Sequence, residues 1–209
     1  MTINPENIVI GERERIMDFA HKKFITEGFY KTSMDEIAGD LQMSKKTIYK
    51  YFTSKESLIE EVCSYRMAWA KEMIQEVVES NDNAVTKFIR IINLNQTHFT
   101  NCSEKWFKDL QMHAPHCMKK FDEFRNANII KVMSKLLEQG KREKLVENIP
   151  PALLITAYIG AVTAVTNPDF IMNNKFSLNE AFRLTAELFF NGFLTPEGKE
   201  KYTNIKKLF

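Results

Sequence analysis

Between Gly28 and Leu58 the chain reads GFYKTSMDEIAGDLQMSKKTIYKYFTSKESL, and two helix starts split by a tight turn leave it few ways to fold. Ser33 can cap the open amides of one helix, while Glu36, three residues on, can reach back to the cap's own amide and complete a capping box. Met34, Ile37 and Leu41 then recur at helical spacing as a buried stripe, and small Ala38 lets a second helix cross closely. Gln42 and Met43 make the turn. Ser44 caps the next helix, where Thr47 stands in the place of a capping-box glutamate, so no acid faces outward at that end. The pattern is that of a helix-turn-helix, a module that lays its second helix on double-stranded DNA.

The second helix divides cleanly into two faces. At about 100° per residue, with Ile48 at zero, Phe52 falls near 40° on the core side, while Lys46 and Lys50 fall near 160° and 200°, flanked by Thr47 and Tyr49. About eight residues make roughly 12 Å of helix, which matches the width of a major groove. Lys45, Lys46, Lys50 and Lys55 supply cations with no acid between Gln42 and Lys55, and the hydroxyls of Thr47, Tyr49 and Tyr51 can donate to phosphate oxygens. With the capping serines Ser33 and Ser44, these residues form the predicted DNA-contacting set. A merely solvated lysine face with packing tyrosines is the plainer alternative.

From Ile16 through Leu58 the chain resembles the TetR family of transcriptional regulators. Ile16, Ala20, Phe24 and Gly28 look like the family's first helix and its closing glycine. Thr32 to Ala38 resembles its second helix, and SKKTIYKYF followed by SKESL resembles its recognition helix and the start of the fourth. The resemblance implies that Thr47, Tyr49, Tyr51 and Lys55 contact the DNA backbone. Lys46 departs from the small residue often found at its position, a change that bears on base preference.

Composition confines the DNA contact to this one face. The net charge is only +2, whereas nucleic-acid binders often carry a basic excess, and the residues through Glu60 hold slightly more acids than bases, so the positive charge is local. With 209 residues and 44% hydrophobic content the chain can bury a core of one or two domains. Cys63, Cys102 and Cys117 lack metal-finger spacing and leave one thiol over in any disulfide scheme, which points to reduced, cytoplasmic thiols. Glu6, Glu12, Arg13, Glu14 and Arg15 occupy the start in place of an apolar signal core. The most apolar run, Ala152 to Val165, is too short to span a bilayer.

Helical periodicity continues to the end, predicting an all-α fold: an N-terminal three-helix helix-turn-helix domain over 1–54, then a larger helical effector-binding and dimerisation domain over 55–209. A fourth helix is predicted from Thr53 or Ser54 to about Ser80, with Leu58, Val62, Trp69, Met73 and Val77 inward. A fifth carries Val85, Phe88, Ile89, Ile92 and Phe99, a shorter one Trp106, Phe107 and Leu110, and a long one is predicted to end near Gly140. Residues from Pro151 to about Thr166 are apolar on nearly every side, and Leu178, Ala181, Phe182, Thr185, Leu188, Phe189 and Gly192 form a second stripe, more than a small monomer hides. A homodimer is the expectation, with Leu154, Tyr158, Ala161, Phe182, Thr185 and Phe189 at its interface; two helices that only complete a monomer core are the plainer alternative. The resemblance implies the same arrangement, a four-helix interface about a two-fold axis, which would present two recognition helices to a palindromic site. The tail from Pro196 is a loose end or a final short helix.

The central aromatics and methionines are compatible with an ordinary core. The resemblance implies a small-molecule cavity there, for which Trp69, Phe99, Trp106, Leu110, His113 and Phe121 are the candidates. His98 and Cys102 stand four apart, with His113, His116 and Cys117 nearby, a spacing that can share a metal, but Pro115 interrupts the group and no acidic partner is evident, so no metal site is expected. No nucleophile with a neighbouring base, glycine loop or paired carboxylates marks an enzyme. The expectation is a cytoplasmic, homodimeric repressor, without cofactor or metal, that leaves a palindromic operator when a small apolar or amphipathic effector binds. The alternatives are a helical enzyme or carrier with a vestigial helix-turn-helix, and a DNA-binding protein without ligand control.

Overall fold

Serines and prolines decide where most helices begin. Ser33, Ser44, Ser103 and Ser177 each accept a hydrogen bond from the amide three residues on, and Pro115, Pro151, Pro168 and Pro196 each stand first in their helix, where a missing N–H costs nothing. The computed structural model describes residues 11–100 and 102–206, by backbone alone at 95–100, 168 and 206. Its helices are α1 (Glu12–Glu27), α2 (Met34–Asp40), α3 (Lys45–Tyr51), α4 (Lys55–Glu79), α5 (Ala84–Thr100), α6 (Glu104–His113), α7 (Pro115–Arg142), α8 (Pro151–Val165), α9 (Pro168–Asn174), α10 (Leu178–Phe193) and α11 (Pro196–Lys206). Among the described residues the only strand-like pairing is an isolated bridge between Val146 and Leu194, so the fold is all-α as predicted. No described helix is long and apolar enough to cross a membrane.

The chain folds as two compact units, and the first is discontinuous: Met1–Met67 with Asn101–Phe121. It therefore takes in α6 and the opening of α7 besides the first three helices. Its core joins Ile16, Ala20 and Phe24 of α1 to Ile37 of α2, Ile48 of α3, Leu58 and Val62 of α4, and Trp106 and Leu110 of α6. Lys23 adds a polar clasp at 2.8 Å to both Glu36 and Asp40 of α2, and these two carboxylates raise its pKa above the ordinary lysine value.

The second unit, Ala68–Thr100 with Asp122–Phe209, is built on aromatic contacts. Phe88 of α5 meets Phe190 and Phe193 of α10 at ring separations of 5.3 and 5.5 Å. Leu136 and Leu137 of α7, with Ile155 and Val162 of α8, complete the cluster. The C-terminal segment is not loose: α11 packs on α5, and Tyr202 lies 5.5 Å from the Phe190 ring. Lys87 is buried, with its ammonium donating to Val78 O at 2.8 Å and Gln139 Oε1 at 3.1 Å. A cation on the last carbonyls of α4 complements the helix dipole.

Two elements depart from the sequence expectation. A helix was not foreseen over Pro168–Asn174, although Asn167 accepts from the Asp169 amide at 2.8 Å and proline stands first, a start signal in only seven residues. Gly140 does not close α7, which runs on to Arg142. Its missing side chain serves packing instead, because a Cβ there would run into Cγ2 of Val146 and lie 3.3 Å from the Cβ of Ala84. Val146 is β-branched and cannot swing aside cheaply. Gly140→Ala is therefore expected to destabilise the fold by about 1 to 3 kcal/mol, read as a lower urea midpoint, and adding Val146→Ala should recover part of the loss.

Candidate DNA-docking face

The docking face is assembled by two caps and one turn. Ser33 Oγ accepts from the Glu36 amide at 3.1 Å, while the Ser33 amide donates to Glu36 Oε2 at 3.5 Å, the reciprocal box expected from the sequence. Gln42 takes a left-handed φ of 54°, and the Met43 amide returns to Ala38 O at 2.9 Å, turning the chain in two residues. Ser44 Oγ then accepts from the Thr47 amide at 3.1 Å and shares a hydrogen bond of 2.8 Å with the Thr47 hydroxyl. Ile48 and Phe52 are buried at 0% and 1% exposure, while Tyr49 stays 47% exposed and Lys46 and Lys50 point outward with it.

The electrostatics of this face involve two acids from outside α3. Asp35 of α2 holds the Lys45 ammonium at 2.5 Å. Lys50 donates to the Tyr51 hydroxyl at 3.2 Å, and that hydroxyl donates onward to Glu12 of α1 at 3.0 Å, so the Tyr51 contact raises the Lys50 pKa. Glu12 and Asp35 reach α3 from other helices, contacts that a stretch free of acids between Gln42 and Lys55 does not reveal. Lys55 is held differently: its ammonium donates to Tyr30 O at 2.8 Å. Burial lowers its pKa, against which the charges of Glu56, Asp109 and Glu36 push upward.

The residues proposed for an effector cavity are dispersed. Trp106 and Leu110 are each 1% exposed in the first unit's core, with the Trp106 ring edge-on to Phe29 at 5.6 Å. They hold α6 on α1, a packing task that periodicity alone does not distinguish from lining a cavity. His113 is exposed and stacked on Tyr30 at 3.9 Å and 11°, and Phe121 is half-buried against the same core. Trp69, in the second unit, is 37% exposed. The Phe99 and His98 side chains lie outside the described residues. His116 sits 3.0 Å from Glu60 and 3.3 Å from Cys117 Sγ. Cys102 accepts from Arg66 at 3.0 Å, and burial pushes up the thiols of Cys63, Cys102 and Cys117.

For the interface residues, burial redraws the map. Leu154, Tyr158, Phe182 and Thr185 are buried within their own unit, Ala161 and Phe189 are half-buried, and Tyr158 meets Phe189 edge-on at 5.3 Å. Burial alone pushes the Tyr158 phenol up to about 12. The apolar surface left open on these helices belongs to Leu153 of α8 and to Leu184 and Leu188 of α10. Both helices have more apolar faces than the fold buries, and a helical wheel without tertiary contacts does not say which face is used inside.

Comparison with known proteins places the same segment. Residues 16–62 match the family of bacterial regulatory proteins, tetR family. The chain is 25% identical over 178 residues to the uncharacterized HTH-type transcriptional regulator YvaF of Bacillus subtilis (strain 168), covering 84% of this chain and 92% of YvaF. A crystal structure of a transcriptional regulator from Cytophaga hutchinsonii superposes with a TM-score of 0.68 at 24% identity, over 87% of this chain and 98% of that one. The fatty acid degradation regulator FadR from Bacillus halodurans shares the fold at a TM-score of 0.59 and 17% identity, over 91% and 97% of the two chains.

Glu12 accepts from the Tyr51 hydroxyl and sets a carboxylate beside the candidate docking face. Glu12→Gln is expected to tighten binding to duplex DNA about two- to fivefold at low salt, with the gain shrinking as salt rises. Fluorescence anisotropy over a salt series measures both.

Proposed function

We propose that this chain, a TetR-family transcriptional regulator, acts as a homodimeric repressor that leaves its operator when a small molecule binds. The observation that carries the reading is α3 itself, whose Ile48 and Phe52 anchor it inward while Lys46, Tyr49 and Lys50 stand outward. A helix of seven residues is short enough to lie in a major groove, with Thr47, Tyr49, Tyr51 and the lysines reaching the flanking phosphates. Ser33 and Ser44 sit at the helix starts, where backbone amides also favour phosphate.

Dimerisation uses the open faces of α8 and α10. Helix α8 carries no charged residue, and Leu153, Leu184 and Leu188 are 65%, 40% and 71% exposed. Ala161 and Phe189, half-buried in the single chain, extend this face. Two copies meeting there display two α3 helices to a palindrome. The effector is small and apolar or amphipathic, and Trp69, an exposed aromatic of α4, is a candidate to meet it. Helix α4 contributes residues to both compact units. A coupling of about 1 to 3 kcal/mol suffices for release. The protein works in the cytoplasm and binds without catalysing a reaction.

Selection from a randomised duplex pool should enrich a palindrome, and Tyr49→Phe with Lys46→Ala should weaken binding to it at least threefold; a pool left unenriched would overturn the DNA reading. Leu188→Arg should turn the sedimenting species into a monomer with its helical circular dichroism intact, and operator affinity should fall by more than tenfold.

A further inference from the structure

Asp109, far along the chain in α6, points its carboxylate at the turn after α1. Its Oδ2 accepts from the amides of Phe29 and Tyr30 at 2.7 and 2.8 Å. Two successive amides converging on one oxygen make a small anion-binding concavity, and an ionised acceptor makes both bonds stronger than neutral ones. Gly28 opens the way: it has φ 81° and ψ 169°, a conformation essentially reserved to glycine, and a Cβ there would lie 2.6 Å from Asp109 Oδ2. Helix α6 is fixed beside this turn by three more contacts. The Ser103 amide donates to Ile25 O at 2.7 Å, Trp106 packs on Phe29, and His113 stacks on Tyr30.

The same turn holds Lys55. Tyr30 is bonded on both sides of its backbone, its N–H by Asp109 and its C=O by the Lys55 ammonium. A lysine at the start of α4 faces the positive end of that helix, so it needs a carbonyl and a nearby negative charge to hold it there. Lys45 and Lys50 are bonded instead to Asp35 and to Tyr51.

We infer that Asp109 is a positioning residue for DNA binding: by fixing the Phe29–Tyr30 turn it holds the Tyr30 carbonyl where Lys55 can bond it, and so presents the Lys55 ammonium to a backbone phosphate. The inference rests on the DNA-docking reading above. It makes the phosphate contact of the helix-turn-helix depend on a helix encoded well after it.

The test is a double-mutant cycle on the duplex enriched by the wild-type protein, comparing Asp109→Ala, Asp109→Asn, Lys55→Ala and Asp109→Ala with Lys55→Ala. Each is measured by anisotropy from low to moderate salt, with thermal melts run alongside. Asp109→Ala and Lys55→Ala should each weaken binding about tenfold and lower the slope of log affinity against log salt by about one per protomer. The double variant should be no weaker than Lys55→Ala alone, and Asp109→Asn, which keeps a neutral acceptor, should recover part of the loss and of the slope. A purely structural aspartate would change the melt without changing the slope, and its effect would multiply with that of Lys55→Ala. Asp109→Asn or Asp109→Ala binding like the wild type, or independent multiplication of the two losses, overturns the inference. A wild-type protein that enriches no duplex, or Lys55→Ala binding with an unchanged slope, overturns the underlying assignment of Lys55 instead.

Discussion

A helix of seven residues has no stability of its own, because nucleation costs more than two turns of hydrogen bonds return. Helix α3 exists where it does because Ile48 and Phe52 are buried in a core made by other elements. Everything outward on that helix inherits its position from those two side chains. The core they enter is shared by α1, α2, α4 and α6, so the docking face is only as well placed as the packing of Phe24, Phe29 and Trp106 behind it. Burying an aromatic of this kind is worth about 1.5 to 3 kcal/mol, which is more than the caps on either helix contribute.

What could be read from the sequence was whatever physics is local. Capping at Ser33 and Ser44 is decided within three residues, and the inward pair Ile48 and Phe52 follows from a 3.6-residue repeat; both stand in the fold as expected. The break before Pro115 and the long α4 were legible for the same reason. What lay out of reach was set by partners distant in the chain. Glu12 and Asp35 joined the electrostatics of α3 from other helices, and Trp106 turned out to be the prop of α1. Gly140 looked like a helix end, but the reason for its small size is Val146, beyond the end of the helix. Short α9 had its cap and its proline in plain view at Asn167 and Pro168.

The two apolar helices α8 and α10 illustrate a different limit. A segment that is apolar all round announces that it is covered on several sides without saying by what. Leu154 and Tyr158 are covered by their own chain, whereas Leu153 and Leu188 stand open. Exposed apolar surface of this kind, free of charge on α8, is disfavoured in water. Its presence on adjacent packed helices of the second unit gives the proposed dimer a physical motive besides a geometric one.

The discontinuity of the first unit has a consequence for how such a protein can be taken apart. Cutting the chain after α3, or grafting its first helices onto another sensor, would remove α6 and leave the Phe29 ring without its tryptophan. The convergent amides of Phe29 and Tyr30 would lose their carboxylate as well. The smallest portable reader of DNA in this chain is therefore not a contiguous stretch of gene: Gly28 and Asp109 have to travel together, and a change at either position alters what the other is allowed to be.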